Sequence, residues 1–155
     1  MPITKASSTQ VKNEGLPKIL QINFDNGTGS RSSSTSTTNV AVPGPVGDTS
    51  YTAPADQDVD IYFTHELMVN STAGYCKVWL SINGVATGKG SYQEVMTSWS
   101  THAITNKVQV AAGATITIGL LWSTSSGTVT TCNASTDLSQ GYPVQITGLV
   151  IPRPS

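Results

Sequence analysis

The sequence is poor in charged and in aromatic residues. Of its 155 residues, 11% are charged and 6% are aromatic, and the formal net charge is −1. A chain with so little net charge has a weak electrostatic field, which cannot hold nucleic acid or an anionic membrane by long-range attraction. We therefore expect neither as a partner. No apolar run approaches the roughly 18 residues of a membrane helix, and residues 1–15 lack the apolar core of an export signal.

Cysteine is scarce as well, with two residues in the chain. Two cysteines do not make a disulfide scaffold. Cys76 shares a predicted strand face with Val78 and Leu80, which indicates a small, buried, apolar side chain. Cys132 lies in a polar, Thr-rich turn. A bridge between the two would need Cα atoms within about 7 Å, which the sequence leaves open.

Strong helix formers are few, whereas Ser and Thr supply about a quarter of the chain. Thr together with Val, Ile and Tyr favours a pleated, half-buried surface. About nine alternating segments separated by turns predict one all-β domain, a sandwich or a barrel. The alternatives are a jelly roll, an immunoglobulin-like sandwich and an up-and-down barrel, and the immunoglobulin fold would need two cysteines on facing strands.

The clearest strand follows the Pro- and Asp-marked turn at residues 52–58. Strict alternation over the next eleven positions places one set of side chains on the core side. His65 belongs to that set and is interpreted as a structural imidazole. Farther along, Asn83-Gly84 is the strongest hairpin signal in the chain, and Trp122 is predicted to be a core residue. The predicted core face consists of Val59, Ile61, Phe63, His65, Leu67 and Val69.

Two polar segments are predicted to lie between strands. Residues 25–39 are a low-complexity run of Ser, Thr and Gly that cannot bury enough apolar surface to order itself, which is typical of an exposed loop. Residues 70–74, with the sequence NSTAG, are predicted to form a turn after the long strand.

The N-terminal region predicts an extended arm. Residues 1–15 are polar and without period, and the first apolar cluster follows at 16–22. We therefore divide the chain into residues 1–24, an anchoring arm with the first strand, and residues 25–155, the folded domain. A polar terminus is ordered only where something ties it down, so we expect the arm to dock on a partner. The predicted partner-binding residues are Ile3, Val11, Leu16, Ile19 and Leu20.

One acidic run imitates a metal site. Asp56, Asp58 and Asp60 alternate like the first ligands of a calcium loop. The sixth loop position is Ile61, where glycine is needed, and the twelfth is Leu67, where glutamate is needed. We interpret the run as an acidic turn, with a divalent ion shared across a trimer axis as the minor alternative. The sequence holds no nucleophile elbow and no carboxylate pair placed for glycoside cleavage, so we expect neither enzymatic activity nor a cofactor.

The aromatic residues suggest a ligand surface or an interface. Trp79, Trp99 and Tyr92, together with Tyr75, could stack against the apolar faces of sugars. Trp79 shares its side of the predicted strand with Tyr75 and Lys77. Subunit interface, core position and ligand stacking all stay open for Trp79.

Three segments resemble a known family. YTAPADQDVDIYFTHELMV at residues 51–69 is similar to the strand opening of C1q/TNF-like jelly rolls. VQVAAGATITIGLLW at 108–122 resembles their hairpin, and GYPVQITGLVIP at 141–152 resembles their closing strand. The resemblance implies an antiparallel two-sheet jelly-roll sandwich with an extended N-terminal arm. Such domains are similar to those of tailed-bacteriophage virion proteins, which include capsid decoration proteins, head fibres and tail tips.

The resemblance also implies a function. It suggests a non-enzymatic homotrimer, made in the host cytoplasm and placed at the virion surface, whose arm binds the major capsid protein or another virion protein. A capsid decoration (cement) protein is the leading expectation, because the chain is short and shows no coiled-coil stem. The alternative is a tail-fibre tip, or a receptor- or carbohydrate-binding module for a host-surface glycan.

Overall fold

The computed structural model describes residues 17–25, 31–93, 100–131 and 144–153. All helical or extended structure within these ranges is β-strand. No helix in the described part of the chain has the length and hydropathy needed to cross a bilayer. Several residues singled out above lie outside the described ranges: Ile3, Val11, Leu16, Trp99 and Cys132.

Ten strands make up the described structure, and every pair of neighbours is antiparallel. They range in length from two residues to the 24 residues of the longest strand. The strands are β1 (Lys18–Phe24), β2 (Ser33–Ser34), β3 (Val40–Ala41), β4 (Pro45–Gly47), β5 (Ser50–Thr52), β6 (Val59–Ile82), β7 (Val85–Gln93), β8 (Ser100–Val110), β9 (Thr115–Thr131) and β10 (Val144–Pro152).

The strands form two sheets that share β6. Sheet one has the order β4, β1, β10, first half of β6, β8. In sheet two the second half of β6 lies between β7 and β9, and the other edge of β9 pairs with β2, β3 and β5. One series of pairs is nested along the chain: β1 with β10 at the outside, then β2, β3 and β5 with β9, then β6 with β8, and β6 with β7 at the inside. The β6–β10 pair joins two levels of this series within sheet one. Nested antiparallel pairs wound into two sheets define a jelly roll, so the predicted all-β jelly-roll sandwich is confirmed.

β6 changes its inward-facing positions halfway along. The buried apolar side chains are odd-numbered in its first half and even-numbered in its second half. The predicted core face is confirmed, as is the inward position of Cys76, which is a free thiol. The inward residues of β6 are Val59, Ile61, Phe63, His65, Leu67 and Val69, followed by Cys76, Val78 and Leu80.

The change of parity occurs where a turn was predicted, and that prediction is wrong. Residues 70–74 continue as strand, with two register shifts against β9. Gly74 adopts a φ of 68° there, and such irregularities bend a strand. Hydroxyl groups replace the ladder bonds that the shifts remove: the Tyr75 N–H donates to Ser125 Oγ at 2.9 Å, and the Thr128 N–H donates to Thr72 Oγ1 at 2.9 Å. Thr72, one of the residues that suggested a turn, therefore holds the bent strand together with Ser125 of β9.

One hydrophobic core lies between the sheets and takes side chains from both. Trp122 is fully buried, as predicted, and Phe63 is among the largest buried side chains. Gly148 faces Phe63 from the neighbouring strand, and a Cβ there would lie 2.8 Å from the Phe63 ring. His65 is also fully buried, so it is a core residue.

The Ser/Thr-rich segment is not wholly a loop. Ser33 and Ser34 pair with β9, which corrects the prediction for this part of residues 25–39. Backbone carbonyls of the segment accept further bonds from β9, with the Thr131 N–H donating to Ser32 O and the Thr124 N–H to Ser36 O, both at 2.9 Å. The composition of the segment could not predict this, because the order comes from the free edge of β9.

Candidate functional site

The acidic run at residues 56–60 is part of an ion-pair network. Asp60 Oδ2 accepts from Lys107 Nζ at 2.7 Å, and Asp58 Oδ2 accepts from Arg153 Nη1 at 3.2 Å. The Asp58 Oδ1 atom accepts the Ala112 N–H at 2.9 Å. Asp56 is exposed. Basic side chains and a backbone amide thus contact the carboxylates of Asp58 and Asp60.

Within the described ranges, no group of three or more His, Cys, Asp or Glu side chains could hold a metal ion.

The pKa values of Lys107 and Cys76 are both raised. The hydrogen bond between Lys107 and Asp60 is the main reason that the pKa of Lys107 lies above its ordinary value. Burial raises the pKa of the Cys76 thiol to about 12, so this thiol is not a nucleophile near neutral pH.

The outward side of sheet one carries a row of exposed apolar side chains. Ile19 of β1 pairs with Leu149 of β10, and Leu149 pairs with Tyr62 of β6. Ile151 lies two residues beyond Leu149 on the same side of the strand. All four are exposed large hydrophobic residues, with Ile19 at 65%. We call Ile19, Tyr62, Leu149 and Ile151 the apolar face.

Charge at the margin of the apolar face is balanced within the chain. Tyr62 lies below the Lys107 ammonium, which is 5.6 Å from its ring centroid, and the same ammonium pairs with Asp60. Arg153 Nε lies 3.8 Å from the other oxygen of Asp60. A surface that covers this face therefore need not supply a compensating charge.

Of the predicted partner-binding residues, Ile19 and Leu20 are described. Leu20 is buried in the core of this chain, so it is not available to a partner. Ile19 points outward at the start of β1, directly after the N-terminal segment. β4 covers the free edge of β1 only from Ile22 to Phe24, which leaves the edge beside Ile19 beyond the reach of β4.

A second surface lies on the outward side of sheet two. Tyr75, Lys77 and Trp79 alternate along β6 on that side, and Tyr92 of β7 lies directly opposite Lys77. The rings of Tyr75 and Tyr92 are 4.8 Å apart between centroids. The Lys77 ammonium lies 4.8 Å from the Tyr75 centroid, 5.8 Å from that of Trp79 and 6.0 Å from that of Tyr92. We call these four residues the lysine–aromatic cluster.

An irregularity in β7 builds this cluster. Next to the Asn83-Gly84 turn Ile82 pairs with Val85, but Val78 pairs with Ser91, so β7 contains two extra residues in between. Without them Gly90 would lie opposite Lys77. With them Tyr92 takes that place, and the Trp79 indole packs on Gly90, where a Cβ would overlap the ring.

A buried asparagine fixes the irregular part of β7. The Lys89 N–H donates to Asn106 Oδ1 at 2.7 Å, and Asn106 Nδ2 donates back to Lys89 O at 3.1 Å. Gly88 next to it has a φ of 72°, and a Cβ there would overlap the Asn106 side-chain oxygen. The backbone that positions Tyr92 is therefore held by side-chain hydrogen bonds and close packing.

Three of the four predicted aromatic residues, Tyr75, Trp79 and Tyr92, are brought together, and Trp99 lies outside the described ranges. The sequence did not predict the central position of Lys77 among them. The only signal that could have suggested it was the alternation of Tyr75, Lys77 and Trp79. Their contact with Tyr92 depends on the register of β7, which no local pattern specifies.

The chain matches no protein-family model and no curated protein. Among solved structures it is similar to a chain in the structure of the Gt strain of infectious bursal disease virus, with 11% identity and a TM-score of 0.38. It is also similar to the VP2 subviral particle of that virus, with 13% identity and a TM-score of 0.38. Each alignment covers 90% of this chain and 38% of the other, so the chain spans less than two fifths of these viral capsid proteins. Because these TM-scores are low, the jelly-roll assignment rests on the strand pairing and not on these similarities.

Proposed function

We propose that this chain is a non-enzymatic structural protein of a virus particle, a homotrimeric jelly roll that decorates the capsid of a tailed bacteriophage. In this proposal residues 1–24 attach the protein to the major capsid protein or to another virion protein. Residues 25–155 form the body at the virion surface, together with β1, which packs into the same core. The observation that supports the proposal most is the apolar face, because contiguous exposed apolar side chains with a charged margin are typical of protein contact sites.

We assign the apolar face to contact with other copies of the same chain. Its centre is uncharged, and the nearby carboxylate of Asp60 already has basic partners in its own chain. The same face from a second or third copy therefore fits without unpaired buried charge, which is costly at an interface. Three copies around one axis would each contribute Ile19, Leu149 and Tyr62.

The arm complements this face. A specific interface buries on the order of 800 Å² on each partner, and four side chains supply only part of that area. A fully extended segment of 16 residues reaches about 55 Å, far enough to cross a neighbouring subunit. Because the arm leads into Ile19, trimer formation through the apolar face gathers three arms on one side. Three linked arms bind a shell far more tightly than one.

Truncation of residues 1–15 tests the attachment. We expect the shortened protein to remain a trimer and to lose cosedimentation with virus particles. A matched variant replaces residues 1–15 with a Gly/Ser segment of equal length, and it should fail in the same way, since it restores length without side chains. Truncated protein that still coats particles would contradict the anchoring role.

The lysine–aromatic cluster favours a second candidate function, a receptor- or carbohydrate-binding module at a tail-fibre tip. Tyr92 is 55% exposed, so one ring of the cluster is open to a ligand. Glycan-array binding that is lost in Tyr92→Ala would favour this candidate. Copurification with the major capsid protein at fixed stoichiometry, unaffected by Tyr92→Ala, would favour decoration.

A further inference from the structure

We propose that the lysine–aromatic cluster binds carbohydrate that carries a carboxylate, such as a uronic acid residue, with Lys77 pairing the acid group and Tyr92 packing against the sugar ring. This inference rests on the second proposed function and adds the charge of the ligand and the roles of the residues. It does not depend on the trimer or on attachment to a particle.

The first argument is the electrostatic state of Lys77. Among the ion pairs formed between described residues, none includes Lys77. Its ammonium instead lies within about 6 Å of three ring centroids. Ring faces attract a cation, but they leave its net charge in place. Lys107, whose ammonium lies over the Tyr62 ring of sheet one, differs from Lys77 because it pairs with Asp60. Lys77 therefore offers a fixed positive charge to an anion from outside.

The second argument is the preorganisation of the site. The ammonium lies among three rings from two strands, so it has less freedom than an ordinary surface lysine. Trp79 is fixed against Gly90, and the backbone near Tyr92 is held by the hydrogen bonds between Asn106 and Lys89. A rigid site loses little side-chain entropy when a ligand binds. Tyr92 remains the most exposed hydrophobic residue of the cluster.

The chemistry of the cluster selects one class of anion. A single ammonium suits a monovalent carboxylate, whose hydrogen bond to it is charge-assisted. Nucleic acid would need a wide basic field, which a chain with a formal net charge of −1 does not provide. A carboxylate paired with Lys77 places the attached ring carbons beside Tyr92, which lies directly opposite Lys77. A sugar acid supplies both the charge and an apolar C–H face.

Saturation-transfer NMR on the full chain tests the proposal with a galacturonic acid tetrasaccharide as the probe. The matched ligand is its methyl ester, which keeps the sugar rings and loses the charge. We expect the acid to bind and the ester to bind at least tenfold more weakly. Raising the salt concentration from 0.1 to 1 M should weaken binding of the acid, because screening acts on an exposed ion pair. Sialyllactose, a carboxylated sugar typical of animal glycans, separates that ligand source from uronic acid polymers.

Two lysine variants locate the site. Lys77→Met keeps the apolar stem and removes the charge, and it should reduce binding of the acid at least tenfold. Lys107→Met makes the same change on sheet one and should leave binding unchanged. Circular dichroism and the unfolding midpoint confirm that both variants are folded.

The outcomes separate this inference from the function on which it rests. If the ester binds as well as the acid, or if Lys77→Met binds normally, the inference is wrong while carbohydrate binding stands. If neither acid, ester nor sialyllactose binds, both the inference and the carbohydrate-binding candidate fail. Neither result bears on decoration, which truncation of residues 1–15 tests separately.

Discussion

The outward sides of the two sheets differ far more than their inward sides. Inward, both sheets present alternating aliphatic and aromatic residues to one shared core. Outward, sheet one carries the apolar face with its charges paired inside the chain, whereas sheet two carries an ammonium among three rings. Core packing constrains only the inward positions. The outward positions are therefore where two sheets of one fold can acquire different partners.

The largest expected effect separates inward from outward residues on sheet one. Phe63 and Tyr62 are neighbours on β6, the first fully buried and the second 39% exposed. Phe63→Ala should lower the free energy of unfolding by about 3–5 kcal/mol, because it removes a large buried ring and leaves a cavity. Tyr62→Ala should lower the free energy of unfolding of the separated subunit by about 1 kcal/mol or less. Chemical denaturation of both variants measures the difference, and similar losses would contradict the assignment of the two faces.

A smaller effect is expected at the irregularity that shapes sheet two. Gly88 and Gly84 both have positive φ, but a Cβ would overlap Asn106 only at Gly88 and meets nothing within 4 Å at Gly84. Gly84→Ala should cost about 1 kcal/mol for the left-handed backbone alone. Gly88→Ala adds about 1–3 kcal/mol of overpacking and should also weaken the glycan binding proposed above.

Equal losses of unfolding free energy in Gly88→Ala and Gly84→Ala would show that Asn106 does not fix this part of β7. Asn106→Ala provides a second check. It removes both hydrogen bonds to Lys89, so it too should disturb the position of Tyr92.

The smallest effect concerns Cys76, which precedes Lys77 in β6 and points into the core. Because burial raises the pKa of Cys76 to about 12, its thiol stays protonated in the folded state at pH values where an unfolded thiol has ionised. The folded state then binds more protons than the unfolded state, so the contribution of Cys76 to stability falls as the pH rises from about 9. The difference in unfolding free energy between the unmodified protein and Cys76→Ala should fall by roughly 1 kcal/mol from pH 9 to pH 10. A constant difference would mean that Cys76 titrates normally.

Local sequence patterns predicted the parts of the fold that depend on local chemistry. Alternation specified the inward residues of the first half of β6, and Asn83-Gly84 specified the hairpin, where both residues have positive φ. Burial of Trp122 and Cys76 followed from the same alternation. In each case the deciding interaction lies within the strand or the turn itself.

The features that were missed depend on distant residues. The strand continues through residues 70–74 because hydroxyl groups of Thr72 and Ser125 complete its pairing with β9. Tyr92 reaches Lys77 because Asn106 on β8 holds two extra residues in β7. Leu20 was expected at a partner surface, yet it lies in the core because β1 pairs with β10 in the register that turns Ile19 outward.

Sedimentation velocity of two matched variants tests the role of the apolar face most directly. Ile19 and Val85 are both strand residues and are both 65% exposed, but Ile19 lies on the apolar face and Val85 lies beside the hairpin turn of sheet two. We predict that the unmodified protein and Val85→Asp sediment as trimers and that Ile19→Asp sediments as a folded monomer. A trimer of Ile19→Asp as stable as that of Val85→Asp, or an unmodified protein that sediments as a monomer, would contradict the account.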